Sequence, residues 1–465
     1  MKEITQRKEI TRKFAFATRV KNIEISGIRR AFEAASAASG SADSPSPART
    51  PFSTHSSTPS STHSSTPSST HSSTHSCTPA RTFNLGLGEP DFETPEHIKE
   101  AAVQALKSGF TSYTPNKGIP ELREALSEKF KRENHFSVSP EEIIVTSGAS
   151  EALHLALLAA VEKGDEVLVP NPGFVSFAPL TRLAEAKPVG VPLSEGEDKN
   201  EGFTMSAEAV KERITSRTKA LILNSPANPT GAVESEENLK ALVEIANDHR
   251  LTLISDEVYE RFIYDDGLTH TSPASLSEVA GAGFDEKGRG GVVTVNAVSK
   301  TYAMTGFRLG YLTAREEYVE QMLKIHQYIQ ACASSISQRA ALAALTGPQD
   351  CVAAMKSEFK RRRDFVVAAL REMQRAGLEL EFSVPRGAFY IFPRVRDETE
   401  FVTALQRRGV VVTPGSAFGS RGKDHVRISY AASLEVLKRA FEVIQDQPLR
   451  FGSADRLDDG ERGAL

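Results

Sequence analysis

The chain has 465 residues, of which 39% are hydrophobic and 25% are charged, and its formal net charge at pH 7 is -4. This length allows two or three domains with substantial cores, and the composition is typical of an ordinary soluble globular protein. The sequence has no apolar run of about 18 residues that could cross a membrane, and its slightly negative charge argues against nucleic-acid binding driven by overall charge.

Cysteine is sparse in this chain. Cys77, Cys332 and Cys351 are too scattered to form a disulfide framework or a paired metal clamp. A reducing, cytoplasmic compartment is therefore the expected location. The N-terminus is basic but lacks the apolar core of a secretory signal, and acidic residues interrupt its basic run, so a transit peptide is only weakly indicated.

In chain order, the first predicted segments are an N-terminal arm and a low-complexity insert. The arm, residues 1–37, has helical spacing of apolar residues at 26–37 and is expected to join a smaller domain formed later in the chain. The insert, residues 38–82, repeats the unit STHSSTPS, with one variation, over 53–76. Because the insert has almost no apolar residues, it cannot offset its ordering entropy and is predicted to be disordered. We interpret its histidines as part of this linker and not as a metal site.

Helices alternate with apolar strands in the next part of the chain. A short strand and loop at 83–97 precede this region, which extends over 98–328. The predicted strands are 142–147, 166–170, 219–225, 251–257 and 291–297, and the predicted helices include 95–107 and 235–249. Strands of this kind between helices favour a mostly parallel sheet that is buried on both faces.

The pattern changes again over 329–447, where helices are followed by short strands at ELEFSVP, AFYIFP and HVRISYA. We predict a smaller α+β domain here and a polar, frayed tail at 448–465. The basic run KRRR at 360–363 is interpreted as the solvent-facing side of a helix. The fold class is thus predicted as α/β, with a large sheet domain and a smaller α+β domain.

Ligands of parallel sheets bind at the carboxyl ends of the strands, so the residues that follow each predicted strand are candidates for a site. Gly148, Ala149 and Ser150 follow the first strand and open a helix whose free N–H groups suit a phosphate. An ordinary tight turn with Ser150 as the helix N-cap explains the same residues.

Three further strand ends carry an aromatic ring, an amide and a carboxylate. Phe174 follows the second strand, although an aromatic residue at such a place is commonly part of the core. Asn228 lies in the rigid loop PANPTG after the next strand, where a plain turn is the alternative. Asp256 ends the following strand, with Tyr259 three residues on. A carboxylate at the end of a buried strand must be paired with another group, be exposed at a functional site, or cap a helix.

The last of these strand ends carries Lys300 and Arg308, in SKTYAMTGFRLGY. Together the five strand ends offer an anion cradle, an aromatic face, an amide, a carboxylate, and a lysine with an arginine. A flat, phosphorylated, cationic heteroaromatic aldehyde uses all of them. Pyridoxal 5'-phosphate is such a molecule. It needs a lysine for its Schiff base and an acid at its pyridine nitrogen.

The motifs that hold these residues resemble those of class I/II, fold-type-I, pyridoxal-phosphate-dependent aminotransferases, in particular the aspartate/aromatic subgroup. The resemblance covers about 83–445 and the helix near 26–37. The motifs, in family order, are YTPNKGIPELREAL, NSPANPTGAV, ISDEVYERFIYDD, SKTYAMTGFRLGY, PRGAFYIFPR, PGSAFG and VRISYA. The resemblance implies a large domain with a mostly parallel sheet of the seven-stranded type between helices, and a smaller α+β domain.

The resemblance also implies a role for each candidate residue at the cofactor. Lys300 would carry the cofactor as a Schiff base and then move the α-proton of the substrate. Asp256 would keep the pyridine nitrogen protonated, Asn228 and Tyr259 would bind the phenolic oxygen, and Phe174 would stack on the ring. The residues implied to bind the phosphate are Gly148, Ala149, Ser150, Ser299 and Arg308.

Further family features concern the substrate and the neighbouring subunit. Arg427 matches the arginine that clamps the α-carboxylate of the substrate, with Gly88 and Asn228 also assigned to substrate binding. Tyr113 matches a tyrosine that reaches the phosphate of the neighbouring subunit, which implies a homodimer with shared sites. Many relatives have Ser or Thr three residues before the lysine, where this chain has Ala297.

The implied activity is ping-pong transfer of the amino group of an L-amino acid, of aspartate or aromatic type, to a 2-oxo acid, with 2-oxoglutarate expected. β-Elimination or C–S lysis with the same cofactor is the alternative, and it would release pyruvate and ammonia. A non-enzymatic regulator is a third possibility, but residues 1–82 lack a helix-turn-helix pattern. Nucleic acid, membrane and metal are not expected as partners.

Overall fold

The computed structural model describes residues 82–195, 202–280 and 291–446, together with Val20 and Ile23. The predicted N-terminal arm, Ser/Thr-rich insert and polar tail therefore lie almost entirely outside the described residues. The first strand of the continuous described segments begins at Phe83.

The strands are numbered β1 to β16 in chain order. They are β1 (Phe83–Asn84), β2 (Ile143–Thr146), β3 (Glu166–Asn171), β4 (Lys187–Pro192), β5 (Ser194–Glu195), β6 (Phe203–Thr204), β7 (Thr218–Asn224), β8 (Thr252–Asp256), β9 (Val292–Ala297), β10 (Gly310–Thr313), β11 (Leu380–Glu381), β12 (Tyr390–Ile391), β13 (Arg394–Val395), β14 (Val410–Val411), β15 (Thr413–Pro414) and β16 (Val426–Ser429). Strands β2, β3, β4, β7, β8, β9 and β10 belong to the large sheet.

The α-helices are numbered in the same way. They are α1 (Glu96–Lys107), α2 (Pro120–Lys129), α3 (Ala149–Ala160), α4 (Phe177–Leu183), α5 (Ala207–Lys211), α6 (Glu236–Asp248), α7 (Pro273–Ala280), α8 (Val298–Thr301), α9 (Glu316–Ile329), α10 (Ser335–Thr346), α11 (Asp350–Arg375), α12 (Glu398–Arg407) and α13 (Leu434–Gln445). None of the described helices is both long and apolar enough to span a membrane.

Seven strands form one sheet in the order β2-β10-β9-β8-β7-β3-β4. Neighbouring strands from β9 to β4 are parallel, whereas β10 runs antiparallel to both β9 and β2. The prediction of an α/β fold with a large, mostly parallel sheet is therefore confirmed. Each of the five predicted strands lies within one residue of an observed strand at both ends.

Two strands of this sheet were not predicted from the sequence. Strand β4 carries two prolines and a glycine, which are tolerated because β4 lies at the edge of the sheet. Strand β10 has only four residues and follows the Lys300–Arg308 motif directly. Its pairing with β2 joins segments that are distant in the chain, so local sequence does not indicate that pairing.

Both faces of the sheet are buried. Leu253 and Ile254 are consecutive in β8 and fully buried, and their side chains point to opposite faces. Leu253 packs in the core that contains Leu239 of α6. Ile254 packs in the core that contains Leu153 of α3. Strands buried on both faces need nearly continuous apolar runs, which is why the sequence pattern predicted them well.

The C-terminal elements form smaller sheets around a separate core. Strands β12, β16 and β15 make an antiparallel sheet, and β1 pairs in parallel with β14. Phe83 lies opposite Val410 in that pair, so the first strand of the folded chain packs with the last third of the sequence. This pairing brings the loop after β1 next to β16. The predicted strand ELEFSVP is paired only over Leu380–Glu381.

The interpretation of KRRR at 360–363 as a solvated helix face is wrong for two of its residues. Arg362 is fully buried and Arg363 is 6% exposed, whereas Lys360 and Arg361 face solvent. The 26-residue helix α11 packs one side against the core, and Arg362 lies on that side. Its charge is compensated by Asp91, whose Oδ1 lies 2.6 Å from Nη1.

Candidate active site

A cavity of about 260 Å³ lies where β7, β8 and β9 end and α3 begins. This is the edge of the sheet at which ligands of parallel sheets bind. The lining residues are Leu87, Gly88, Ala149, Ser150, Leu153, Phe174, Asn224, Asn228, Asp256, Val258, Tyr259, Ala297, Ser299, Lys300, Thr305, Arg308, Tyr390 and Arg427. All of the predicted site residues line the cavity except Gly148 and Tyr113.

Ala149 and Ser150, at the start of helix α3, form part of the cavity wall beside Gly148. Helix α3 begins at Ala149, and Gly148 is its N-cap with a φ of 84°. The alternative in which Ser150 caps the helix is therefore wrong, since Ser150 is already its second residue. A Cβ added at Gly148 would lie 2.6 Å from Nη2 of Arg308, so only glycine lets this guanidinium approach the turn. Backbone N–H groups at a helix start together with an arginine form an anion site.

Lys300 lies in the short helix α8, directly after β9. Its Nζ donates a hydrogen bond of 2.7 Å to the carbonyl oxygen of Gly88. Burial lowers the pKa of Lys300 to about 8; the charges of Arg427 and Arg308 act in the same direction, against Glu89 and Asp256. A lysine with such a pKa is partly neutral near pH 7, as a nucleophilic amine must be.

Asp256 ends β8 and is only 4% exposed. Burial raises the pKa of this carboxyl group to about 7, against the hydrogen bond from the Val258 N–H. A turn and not a helix follows, so the alternative of a helix N-cap is wrong. Asp256 forms no ion pair with any other described residue. A buried carboxylate in this situation suits a cationic group of a ligand.

Two asparagines connect Asp256 with the other side of the cavity. Asn224, the last residue of β7, donates from Nδ2 to the backbone oxygen of Asp256 at 3.0 Å. Its Oδ1 accepts a hydrogen bond of 2.9 Å from the backbone N–H of Asn228. Asn224 was not predicted as a site residue, although its position at the end of a predicted strand was the available signal.

Arg427, in β16, is 1% exposed and faces the cavity from the smaller sheet. Its Nη1 donates to Oδ1 of Asn228 at 2.9 Å, and its Nη2 donates to the carbonyl oxygen of Gly86. The guanidinium stacks on the rings of Tyr390 and Phe418, at 4.5 and 4.9 Å from their centroids. Its Nε is buried without a partner among the described residues, so the group retains capacity for an anionic ligand.

Tyr259 and Tyr390 meet through their hydroxyl groups. The two oxygens are 2.8 Å apart, and both side chains are buried. Burial raises the pKa of Tyr259 well above its usual range, so its hydroxyl is protonated at neutral pH. Tyr390 was not singled out from the sequence; it lies in PRGAFYIFPR, a motif that carried the resemblance without naming this residue.

The remaining predicted residues differ in their placement. Phe174 is half-buried on the cavity wall, with its ring 5.6 Å from that of Phe177. Ser299 is 8% exposed and lines the cavity next to Ala297. Tyr113 lies outside the cavity and is 89% exposed.

A cluster of ionisable residues lies immediately behind Asp256. Glu257, Glu260 and His270 place ligand atoms within 4.8 Å of one another, a spacing that a metal ion could use. However, the ammonium of Lys129 already contacts Glu260, and Nε2 of His270 lies 2.8 Å from Glu257. We interpret the cluster as a buried ion-pair network that supports the end of β8.

The α/β fold and a cavity lined by Lys300, Asp256 and Arg427 are features of an enzyme. Comparison with known proteins identifies the enzyme family. Residues 80–444 match the family described as aminotransferase class I and II. A probable aspartate aminotransferase from Methanocaldococcus jannaschii is 45% identical over 372 residues, which cover 78% of this chain and 92% of that protein. An aromatic-amino-acid aminotransferase from Thermococcus litoralis is 44% identical, over 77% of this chain and 90% of its own length.

A solved structure gives the same result for the fold. The aspartate aminotransferase from Thermus thermophilus with maleate superposes with a TM-score of 0.77 at 34% identity, covering 93% of this chain and 99% of that one. The chain belongs to the aminotransferase class I and II family. It is an aminotransferase of the aspartate/aromatic subgroup and uses pyridoxal 5'-phosphate. The β-elimination alternative is not favoured by these relatives.

The cavity fits this cofactor. Its wall presents a buried carboxylate at Asp256 that lacks an ion-pair partner among the described residues, as a protonated ring nitrogen requires. Arg308 lies so close to the Gly148 turn that a Cβ at Gly148 would occupy the space between them. Glycine leaves this space open, as a phosphate requires. Lys300, with its lowered pKa, lies on the same cavity.

Proposed function

We propose that this protein transfers the amino group of an L-amino acid of aspartate or aromatic type to a 2-oxo acid, with 2-oxoglutarate as the expected acceptor, by a ping-pong mechanism. One observation carries the assignment of the site: Lys300, Asp256 and Arg427 line a single cavity. The substrate types follow from the names of the relatives, which are aspartate and aromatic-amino-acid aminotransferases.

Bound pyridoxal 5'-phosphate supplies an electrophilic carbonyl group and an electron sink for negative charge at the substrate α-carbon. In this proposal Asp256 holds the ring nitrogen, and Asn228 and Tyr259 bind the ring oxygen. Phe174 stacks on the ring. The residues assigned to the phosphate are Gly148, Ala149, Ser150, Ser299 and Arg308. The position of Ser299 on the cavity wall supports its use as a donor beside Ala297.

Lys300 has two tasks in the proposal. Its neutral amine, which its lowered pKa favours, would hold the cofactor through a covalent bond. With the substrate bound, the free Nζ would take the proton from the substrate α-carbon and later return one, as general base and then acid. Its hydrogen bond to Gly88 supports this assignment, because it holds the amine at the cavity wall in the cofactor-free protein.

Arg427 orients the substrate through its α-carboxylate. The guanidinium carbon lies over the rings of both Tyr390 and Phe418, and Nη1 donates to Asn228. A carboxylate that binds to the other edge satisfies the unpartnered Nε and neutralises a buried charge. Arg427 is buried, so a carboxylate bound to it is shielded from water, which strengthens the contact.

We further propose that the protein is a homodimer in which Tyr113 reaches the phosphate site of the neighbouring subunit. The high exposure of this large side chain in one subunit supports the assignment. A cytoplasmic location is proposed on the basis of cysteine usage, and it is supported by the free thiols of Cys332 and Cys351.

A half-reaction screen tests the proposed function. Single amino acids are mixed with the full-length holoenzyme, and the loss of the absorbance of the lysine-bound cofactor is recorded for each. We expect aspartate or aromatic amino acids to remove this absorbance, and 2-oxoglutarate to restore it. Release of pyruvate and ammonia without formation of a new amino acid would instead indicate a lyase. The Arg427→Gln variant serves as a control that should respond weakly to every amino acid.

A further inference from the structure

The two tyrosine hydroxyls in the cavity come from different parts of the fold. Tyr259 lies in the turn after β8, and Tyr390 lies in β12 of the smaller sheet. Their oxygens are 2.8 Å apart, and their side chains are 4% and 1% exposed. Both line the cavity. Either hydroxyl group is positioned to be the donor, so the direction of this hydrogen bond depends on the groups that surround the pair.

Each hydroxyl carries one proton, and the bond between them uses one of the two. If Tyr390 donates, the proton of Tyr259 is free for a ligand in the cavity. If Tyr259 donates, the proton of Tyr390 has no acceptor, because among the described residues Tyr259 is the only hydrogen-bond partner of the Tyr390 hydroxyl. A buried donor without an acceptor carries an energetic penalty, so an acceptor beside Tyr259 favours donation by Tyr390.

The surroundings of Tyr390 favour the same direction. A Cβ added at Gly88 would overlap the Tyr390 hydroxyl oxygen, so the backbone at Gly88 closes one side of this group without offering it a hydrogen bond. Burial raises the pKa of Tyr390, and the positive charge of Arg427 stacked on its ring acts against this effect. A nearby cation polarises the O–H bond and makes the hydroxyl a better donor.

We propose that Tyr390 is a positioning residue for Tyr259: its hydroxyl donates to Tyr259, so that the proton of Tyr259 is directed at an anionic oxygen of the ligand. This inference rests on the proposed function, in which that oxygen belongs to the ring of the cofactor. Tyr390 does not itself contact the cofactor in this arrangement. It acts by holding the lone pair of Tyr259 away from the anion and by strengthening the hydrogen bond that Tyr259 donates.

The Tyr390→Phe variant isolates the hydroxyl, because it keeps the ring that packs on Arg427. The readout is the pH at which the absorbance of the lysine-bound cofactor changes in the full-length holoenzyme. A hydrogen bond to an anionic oxygen favours the deprotonated form and so lowers the pKa, and weakening the bond from Tyr259 should therefore raise this pH. We expect an upward shift on the order of half a pH unit in Tyr390→Phe, and a larger one in Tyr259→Phe.

A double-variant cycle separates positioning from a structural effect. If Tyr390 acts through Tyr259, adding Tyr390→Phe to Tyr259→Phe should move the midpoint no further. An equal shift in both backgrounds, or no shift in Tyr390→Phe while Tyr259→Phe shifts it, would overturn the inference alone. No shift in Tyr259→Phe itself would overturn both the inference and the proposed role of Tyr259.

Discussion

The amine of Lys300 donates a hydrogen bond of 2.7 Å to the carbonyl oxygen of Gly88, which lies 212 residues earlier in the chain. Two residues before Gly88, the carbonyl oxygen of Gly86 accepts a hydrogen bond from Arg427. The loop that contains Gly86 and Gly88 therefore binds both Lys300, which we assign as the reacting amine, and Arg427, which we assign to the substrate carboxylate.

This loop is anchored on the side that faces away from the cavity. Asp91 accepts a hydrogen bond of 2.6 Å from the buried Arg362, and its backbone N–H donates to the carbonyl oxygen of Ala431 at 3.2 Å. Arg362 donates to the same carbonyl at 2.8 Å. The position of the Gly86–Gly88 carbonyls thus depends on a buried arginine that does not line the cavity.

Replacement of Lys300 by alanine should abolish measurable turnover, because both the covalent link to the cofactor and the proton transfer at the α-carbon are lost. Far-UV circular dichroism should be unchanged. Turnover with the preferred amino acid is the measurement. Lys356→Ala, at an exposed lysine of α11, is the matched control and should retain full activity. Substantial transamination by Lys300→Ala would contradict the mechanism.

Asp256→Asn should stabilise the cofactor-free protein in a pH-dependent way. Burial raises the pKa of Asp256 to about 7 from a usual value of 3.8, so the folded protein binds more protons than the unfolded chain between these values. The stability of the parent therefore falls as the pH rises through this window. At pH 8 the variant should be more stable by roughly 2–4 kcal/mol, and the difference should shrink toward pH 4.

Urea unfolding of the cofactor-free protein at a series of pH values measures this difference. Glu237→Gln, at an exposed residue in the first turn of α6, is the control and should show no such dependence. A stability difference that is constant between pH 4 and 8 would show that Asp256 does not titrate as described. In the holoenzyme the same substitution should lower turnover, since the ring nitrogen loses its anionic partner.

Arg427→Lys should raise the KM for the amino acid and lower kcat/KM by about 100-fold or more, because a lysine cannot reproduce the planar, two-donor contact with a carboxylate. The absorbance of the bound cofactor should remain, since Arg427 is not assigned to it. Steady-state kinetics measure the effect. Arg396→Lys, at an exposed arginine, provides the comparison. An unchanged KM would remove Arg427 from substrate binding.

Arg362→Met should lower the free energy of unfolding by about 3–5 kcal/mol, because Asp91 and Glu358 would keep their charges without the buried guanidinium. The exposed neighbour gives the control, and Arg361→Met should change stability by no more than about 0.5 kcal/mol. Combining Arg362→Met with Asp91→Asn should recover part of the loss, since the pair is coupled. Additive losses would show that Asp91 is not the main partner.

Deletion of residues 40–80 should leave kcat and KM nearly unchanged. The segment is rich in Ser and Thr and almost free of apolar residues, so it offers little surface to bury. The measurement is the steady-state rate of the shortened protein beside that of the full chain. A large drop in turnover would show that the segment is more than a passive insert.

Much of the large sheet could be predicted from the sequence, because its strands are apolar runs bounded by helices and turns. The helix start at Gly148 and the strand end at Asp256 follow from such local patterns. Tyr390 could not be found in this way. Its contact with Tyr259 joins residues 131 positions apart and carries no local signal. The burial of Arg362 was misread because a run of basic residues looks the same on either side of a helix.

The sequence by itself determined five of the seven strands of the large sheet, the residues at their carboxyl ends and, through its motifs, the family and the cofactor. These features depend on periodicity and on the chemistry of single side chains, which neighbouring residues in the chain already define. Only the tertiary structure decided which groups those side chains contact: the carbonyls of Gly86 and Gly88 for the two cations, and Tyr390 for Tyr259. Such contacts arise when distant segments pack together, and their geometry depends on the whole core.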